Sequence, residues 1–138
     1  MTTKILIVED EAVTALDIKL NLEDLGYEIV AVVDNAIDAL NIAAEKSPDL
    51  TIMDIQLKGD ITGIEVAELI AELDLPVIYL TANTDITTFT NAMVNVPSYA
   101  FIGKPFDKRV LKRNVEIALN RSRIESEKIN LAHGFVKD

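Results

Sequence analysis

Asp54 closes the run Leu50-Thr51-Ile52-Met53-Asp54, a carboxylate at the end of a stretch that otherwise reads as protein interior. A charge held there is costly unless something pairs with it. Three other polar groups follow apolar runs in the same way: Glu9-Asp10-Glu11, Thr81-Ala82-Asn83 and Lys104-Pro105. Carboxylates brought together repel one another and stay ionised only with a cation among them. A hard divalent ion with oxygen ligands, Mg²⁺ by preference, meets that need with one or two carboxylates, a backbone carbonyl and waters. An aspartate beside such an ion, a lysine and a hydroxyl is a ready acceptor for a phosphoryl group. The cation, Lys104 and Thr81 would neutralise or hydrogen-bond its oxygens while Asp54 attacks in line. A cis bond at Lys104-Pro105 would turn the lysine back toward the site. Singly, each group has an ordinary explanation: acids favoured at a helix N-terminus, a threonine in a cap or turn, a lysine in a surface ion pair. Their joint placement argues for a site.

The elements that must position these groups are legible as alternating signals. "KILIVED" predicts a first strand, and "AVTALDIKLNLEDLG" a helix with Val13, Leu16, Leu20 and Leu25 on one apolar stripe and Gly26 at its C-terminal cap. "EIVAVV" follows as a strand, then "NAIDALNIAAEKSP" as an alanine-rich helix with Pro48 just past its end. "DLTIMD" is the third strand, "GIEVAELIAEL" a helix, "LPVIYLTA" the fourth strand, "TDITTFTNAMVN" a weaker helix, and "YAFIG" the fifth strand. The last helix is expected from Asp107 or Lys108 to about Ala132. Five such units predict an α/β fold, a single doubly wound parallel sheet covered by helices on both faces. The near-continuous apolar strands fit burial on both sides. Ligands in such sheets sit outside the carboxyl ends of the strands, where the four polar groups fall.

Composition narrows the function classes. The 138 residues include no cysteine and one histidine, His133, which leaves no disulfide framework, thiol nucleophile or multi-histidine metal site. No apolar run approaches a membrane span, and "MTTKILIVED" lacks the features of a signal peptide, so a cytoplasmic protein is expected. The net charge of −10 argues against direct nucleic-acid binding by the main body. That charge is uneven: residues 1–106 hold 5 Lys and 18 Asp or Glu, whereas residues 107–138 hold 8 Lys or Arg and 5 Asp or Glu. The basic C-terminal part is a solvated helix face or a docking surface for an acidic partner.

From residue 4 to about 120, the succession "ILIVEDE", "TIMDIQLKGDITGIEVA", "PVIYLTA" and "FIGKPF" resembles a response-regulator receiver domain of two-component signal transduction. The resemblance implies a flavodoxin-like sheet of order 2-1-3-4-5, with residues 1–122 the receiver domain and 123–138 an extension of the last helix and a C-terminal tail. It implies that Glu9 and Asp10 hold Mg²⁺ (or Mn²⁺) with Asp54 and the main-chain carbonyl of Gln56, Asp10 being the more direct ligand. Asp54 would be the phosphorylated aspartate, Thr81 the hydroxyl that moves onto the phosphoryl group, Lys104 its lysine partner, and Phe101 the aromatic switch, against an ordinary core role on the fifth strand. Tyr99 is not given that role. The implied phosphoryl donor is a histidine kinase or histidine phosphotransfer protein. The implied output is a changed surface of the fourth helix, fifth strand and fifth, last helix, read by a downstream protein or a second copy. Gln56 and Asn83, each two residues beyond a site residue, stand where they would tune the lifetime of the acyl phosphate. Such a domain is a signalling module that promotes its own phosphorylation and dephosphorylation, not an enzyme acting on other substrates.

Two segments depart from the usual pattern. Lys58-Gly59-Asp60 stands where many receivers have a Pro-Gly turn, and "TDITTFTNAMVNVPSYAF" is poor in helix formers, which marks it as the segment that phosphorylation would reorder. Two rival readings are a receiver-like binding module that is not phosphorylated, and a phosphatase working through an aspartyl phosphate. The second wants an acid two residues after the nucleophile, where this chain has Gln56. In the last helix Val110, Ile117, Ile124 and Leu131 recur every seven residues, with polar or charged residues at the intervening d-type positions. That pattern suits either a helix packed on the sheet that frays, or one long enough for dimerisation or for leading into an output domain.

Overall fold

The computed structural model describes residues 2–54, 76–82 and 100–137, with the side chains of residues 81, 82, 100, 101 and 125–137 excepted. The strands are β1 (Lys4–Val8), β2 (Glu28–Val33), β3 (Leu50–Asp54), β4 (Val77–Ala82) and β5 (Ala100–Lys104). They form one parallel sheet of order β2-β1-β3-β4-β5. The helices among the described residues are α1 (Ala12–Asp24), α2 (Ala36–Lys46) and a C-terminal helix, Lys108–Lys137. The expected helices near residues 63–73 and 85–95, and the loop at Lys58-Gly59-Asp60, lie outside the described residues.

Because side chains alternate across a strand, the apolar runs feed two cores. Leu6, Val8, Met53, Val77 and Tyr79 pack with Ala36, Ala39 and Ala43 of α2 on one face. Ile5, Ile7, Leu50, Ile52, Ile78, Leu80 and Ile102 pack on the other with Ile18 and Leu22 of α1 and Leu111, Val115 and Ala118 of the C-terminal helix. β1 and β3 are buried over nearly their whole length, as continuous apolar runs require. β2 is also apolar yet only half-buried, as one of the two edge strands of the sheet. Besides Asp54 at its end, β3 buries one polar side chain, Thr51, whose hydroxyl has no hydrogen-bond partner.

Local chemistry fixes the helix ends. Gly26 takes φ +95° past α1, and the backbone bonds Gly26 N–H to Glu23 O (3.0 Å) and Tyr27 N–H to Leu22 O (3.0 Å) close the helix as its sequence predicts. Asn35 caps α2, its side chain accepting from the Asp38 N–H at 2.9 Å. Asp107 caps the C-terminal helix through the Val110 N–H at 2.9 Å. That helix runs to Lys137, five residues beyond the expected Ala132.

The stripe expected to bury α1 is corrected by the structure. Val13, Leu16 and Leu20 are exposed, and Ala15, Ile18 and Leu22 face the sheet. The helix carries two apolar stripes. Periodicity counts both equally, and only the packing of α1 against β1 and β2 selects one.

Candidate functional site

Three of the four polar groups singled out in the sequence converge at the C-terminal ends of the strands, and the backbone of Thr81 lies at the same end. Glu9 and Asp10 follow β1 directly, Asp54 is the last residue of β3, and Lys104 the last of β5. The parallel register sets Val8 beside Met53, Asp54 beside Leu80, and Thr81 beside Gly103, so these ends lie side by side. The backbone of Thr81 is therefore one strand from Lys104. The side chains of Thr81 and Phe101, and Gln56 and Asn83 altogether, lie outside the described residues.

Lys104 ties the site together. Its Nζ donates to both carboxylate oxygens of Glu9 at 3.2 Å and to Asp54 Oδ2 at 3.1 Å. The Lys104-Pro105 peptide is cis. Glu9 and Asp54 are almost wholly buried, 2% and 4% exposed, so both charges depend on their neighbours. One carboxylate oxygen from each of Glu9, Asp10 and Asp54 lies within 4.8 Å of the others.

This crowding shows in the titration of the groups. Burial, and then the hydrogen bond and charge of Asp54, push the Glu9 carboxyl up to about 7, while Lys104 only partly opposes them. For Lys104, burial works against the charge, but the hydrogen bond and charge of Asp54 and then of Glu9 outweigh it and hold the ammonium above the ordinary lysine value. Both directions express one fact: two buried carboxylates with Asp10 close by share a single ammonium. A hard divalent cation coordinated by oxygen fits that donor set.

Around the site the structure adds what periodicity alone misassigned. A cleft of about 450 Å³ opens between the first half of α1 and the end of β2, with Asp10, Asp34 and Asp38 at its rim and Leu16 and Val32 in its wall. The exposed Val13, Leu16 and Leu20 continue the apolar surface along α1, with exposed Val32 and Ile37 on the neighbouring elements. The signal that could have found this face was the second stripe itself: Ala15, Ile18 and Leu22 already satisfy the inward side, which leaves the other stripe to spare.

A family model for the response regulator receiver domain matches residues 5–116. The chain is 36% identical over 108 residues to the phyllosphere-induced regulator PhyR of Methylorubrum extorquens, covering 77% of this chain and 39% of that protein. It is 33% identical over 121 residues to the transcriptional regulatory protein PdtaR of Mycobacterium tuberculosis, covering 87% of this chain and 58% of that protein. It thus spans well under two thirds of these relatives. Among solved structures, the signal receiver domain of a modulated diguanylate cyclase from Desulfovibrio desulfuricans superposes with a TM-score of 0.83 at 33% identity, covering 91% of this chain and 99% of that one. The chain belongs to the response regulator receiver domain family, a family of signalling domains. Among the described residues, no helix is long and apolar enough to cross a membrane.

Proposed function

We propose that this domain accepts a phosphoryl group on Asp54 from a phosphohistidine of a histidine kinase or histidine phosphotransfer protein, in a Mg²⁺-dependent reaction. The observation that carries this reading is Lys104 Nζ at hydrogen-bond distance from both Asp54 and Glu9, with Asp10 alongside, at the mouth of the sheet. A carboxylate oxygen of Asp54 attacks phosphorus. The new P–O bond forms as the P–N bond to the donor imidazole breaks, and the imidazole leaves with that electron pair. The Lys104 ammonium, already 3.1 Å from Asp54, donates to the phosphoryl oxygens as charge builds on them. Thr81, one strand away in register, would donate its hydroxyl to the same group.

Glu9, Asp10, Asp54 and the Gln56 carbonyl would hold Mg²⁺ or Mn²⁺, which when bound neutralises charge on the phosphoryl oxygens. The exposed Val13, Leu16 and Leu20 beside this mouth supply an apolar face on which a donor helix can rest. In the switch, Thr81 moves toward the phosphoryl group and Phe101 into the space it leaves. This alters the surface of the segment near residues 85–95, β5 and the C-terminal helix, read by a downstream protein in the cytoplasm. A shift from mostly inactive to mostly active requires roughly 3–5 kcal/mol of preference, within reach of two or three charge-assisted contacts. Gln56 and Asn83 would tune the hydrolysis that resets it.

The test is the intact mass of the protein and of Asp54→Asn after treatment with a small phosphoryl donor, with and without Mg²⁺. One phosphoryl group gained only with metal and only with Asp54 present supports the reading. No gain in either protein leaves a receiver fold that works as a constitutive binding module.

A further inference from the structure

The end of the sheet opposite the site carries a second cleft, of about 530 Å³, within the range of small-molecule sites. It opens between the start of β1, the turn that follows α2, and the C-terminal helix near Leu119. Lys4 opens β1 and Glu9 follows its end, a span of about 17 Å at 3.3 Å per residue. That is about twice the ~8 Å screening length of physiological salt. The acid cluster therefore hardly opposes a negative charge in this cleft.

The walls of the cleft are rich in donors. Thr2, Thr3, Ser47 and Ser122 line it with Lys4 and Arg123. Among the described residues, neither those four hydroxyls nor the Lys4 ammonium makes a hydrogen bond or ion pair. Arg123 donates from Nη2 to Asn120 Oδ1 at 2.9 Å, which steadies a guanidinium whose fork matches phosphate geometry. Ser47 stands past the end of α2 at φ 43°, a left-handed position that glycine takes without strain and serine does not. What the serine adds there is a hydroxyl on the cleft.

The one carboxylate in the lining, Asp49, has its Oδ2 held by the Lys4 backbone N–H at 2.8 Å. Two cations thus face one acid, in a chain whose net charge is −10. Beside Ser47, the end of α2 carries the negative pole of its helix dipole. The cleft is polarised: cationic along Lys4 and Arg123, rich in acceptors around Asp49 and the end of α2.

We propose that this cleft binds a small sugar phosphate. The phosphate lies against the Lys4 ammonium and the Arg123 guanidinium and accepts from the Thr3 and Ser122 hydroxyls. The sugar hydroxyls donate to Asp49 and accept from Ser47, with the Leu119 side chain beneath the ring. A sugar suits the cleft better than a nucleobase, because no aromatic side chain lines it for a base to stack on. Binding bridges β1, the turn after α2 and the C-terminal helix, and so fastens that helix to the body.

The test is isothermal titration calorimetry of the protein in a chelator, with glucose 6-phosphate, ribose 5-phosphate, inorganic phosphate and glucose as probes. At least one sugar phosphate is expected to bind ~10-fold or more tightly than inorganic phosphate, as one or two added hydrogen bonds imply. Glucose is expected to give no heat. The amide resonances that shift are expected to cluster at Thr3, Lys4, Ser47, Asp49 and Ser122, not at Asp10 and Asp54. Lys4→Gln and Arg123→Gln, with circular-dichroism melts like that of wild type, should each weaken binding ~10-fold. Lys112→Gln, on the same helix outside the cleft, should not. Absence of binding by both sugar phosphates, affinity no greater than that of inorganic phosphate, shifts gathered at Asp10 and Asp54, or affinity unchanged in both glutamine variants of the cleft each overturns the proposal.

Discussion

Without divalent cations, the stability of this domain is expected to fall as pH rises from about 5 to about 8, the reverse of what a paired carboxylate gives. The cause is Glu9, whose carboxyl is pushed from 4.5 up to about 7 by burial and by Asp54. Its folded pKa lies above its unfolded one, so between those values the native state binds the proton more tightly than the unfolded chain. The benefit is complete below about 4.5 and is lost as pH climbs through about 7. At about 1.4 kcal/mol per pKa unit the full effect is roughly 3–4 kcal/mol. Lys104 does not offset the trend in this window: its raised value stabilises the fold up to its unfolded pKa of 10.5 and is lost only above that. Urea unfolding followed by circular dichroism in a chelator, across this range, measures the slope. Glu9→Gln removes the titrating group without removing its shape. It should flatten the profile and leave the variant more stable than wild type at the alkaline end. A saturating concentration of Mg²⁺ should flatten the wild-type profile by favouring the ionised carboxylate. Parallel slopes in wild type and Glu9→Gln, or a wild type that gains stability with pH, would refute the account of the acid cluster.

Other outcomes follow from single contacts. Lys104→Met leaves Glu9 and Asp54 buried without their counter-charge, so metal-free stability at alkaline pH should drop by roughly 2–4 kcal/mol in the same unfolding assay, and less at acidic pH where Glu9 is neutral. Thr51→Val removes the hydroxyl that is buried without a partner, and should raise stability by about 1 kcal/mol, read as a higher melting temperature. The two faces of α1 separate in a pair of variants: Leu22→Ala on the buried face should lose about 2–5 kcal/mol. Leu16→Ser on the exposed face should change stability by no more than about 0.5 kcal/mol, yet slow phosphoryl transfer from a histidine-bearing partner while leaving the reaction with a small donor unchanged.

Much of this protein is written in its residue order because the relevant physics is local. Apolar runs such as Ile5–Val8 and Leu50–Met53 mark strands buried on both faces, and Gly26 supplies the left-handed turn that ends α1. The parallel sheet then follows from the alternation of strands and helices, and with it the rule that gathers Glu9, Asp10, Asp54 and Lys104 at one edge. What the order of residues left open depends on distances between segments far apart in the chain. Periodicity placed Val13, Leu16 and Leu20 inward, but two stripes on α1 compete and only the shape of the sheet beneath chooses Ile18 and Leu22. The order 2-1-3-4-5 implied by the resemblance already put β2 at an edge, but how far its apolar residues stay exposed there was a matter of packing. Nor could residue types say that one ammonium bridges two buried carboxylates, or that Glu9 is thereby driven toward neutrality. Those are properties of three groups brought together from β1, β3 and β5 into a region of low dielectric, where a few ångströms decide which charges survive.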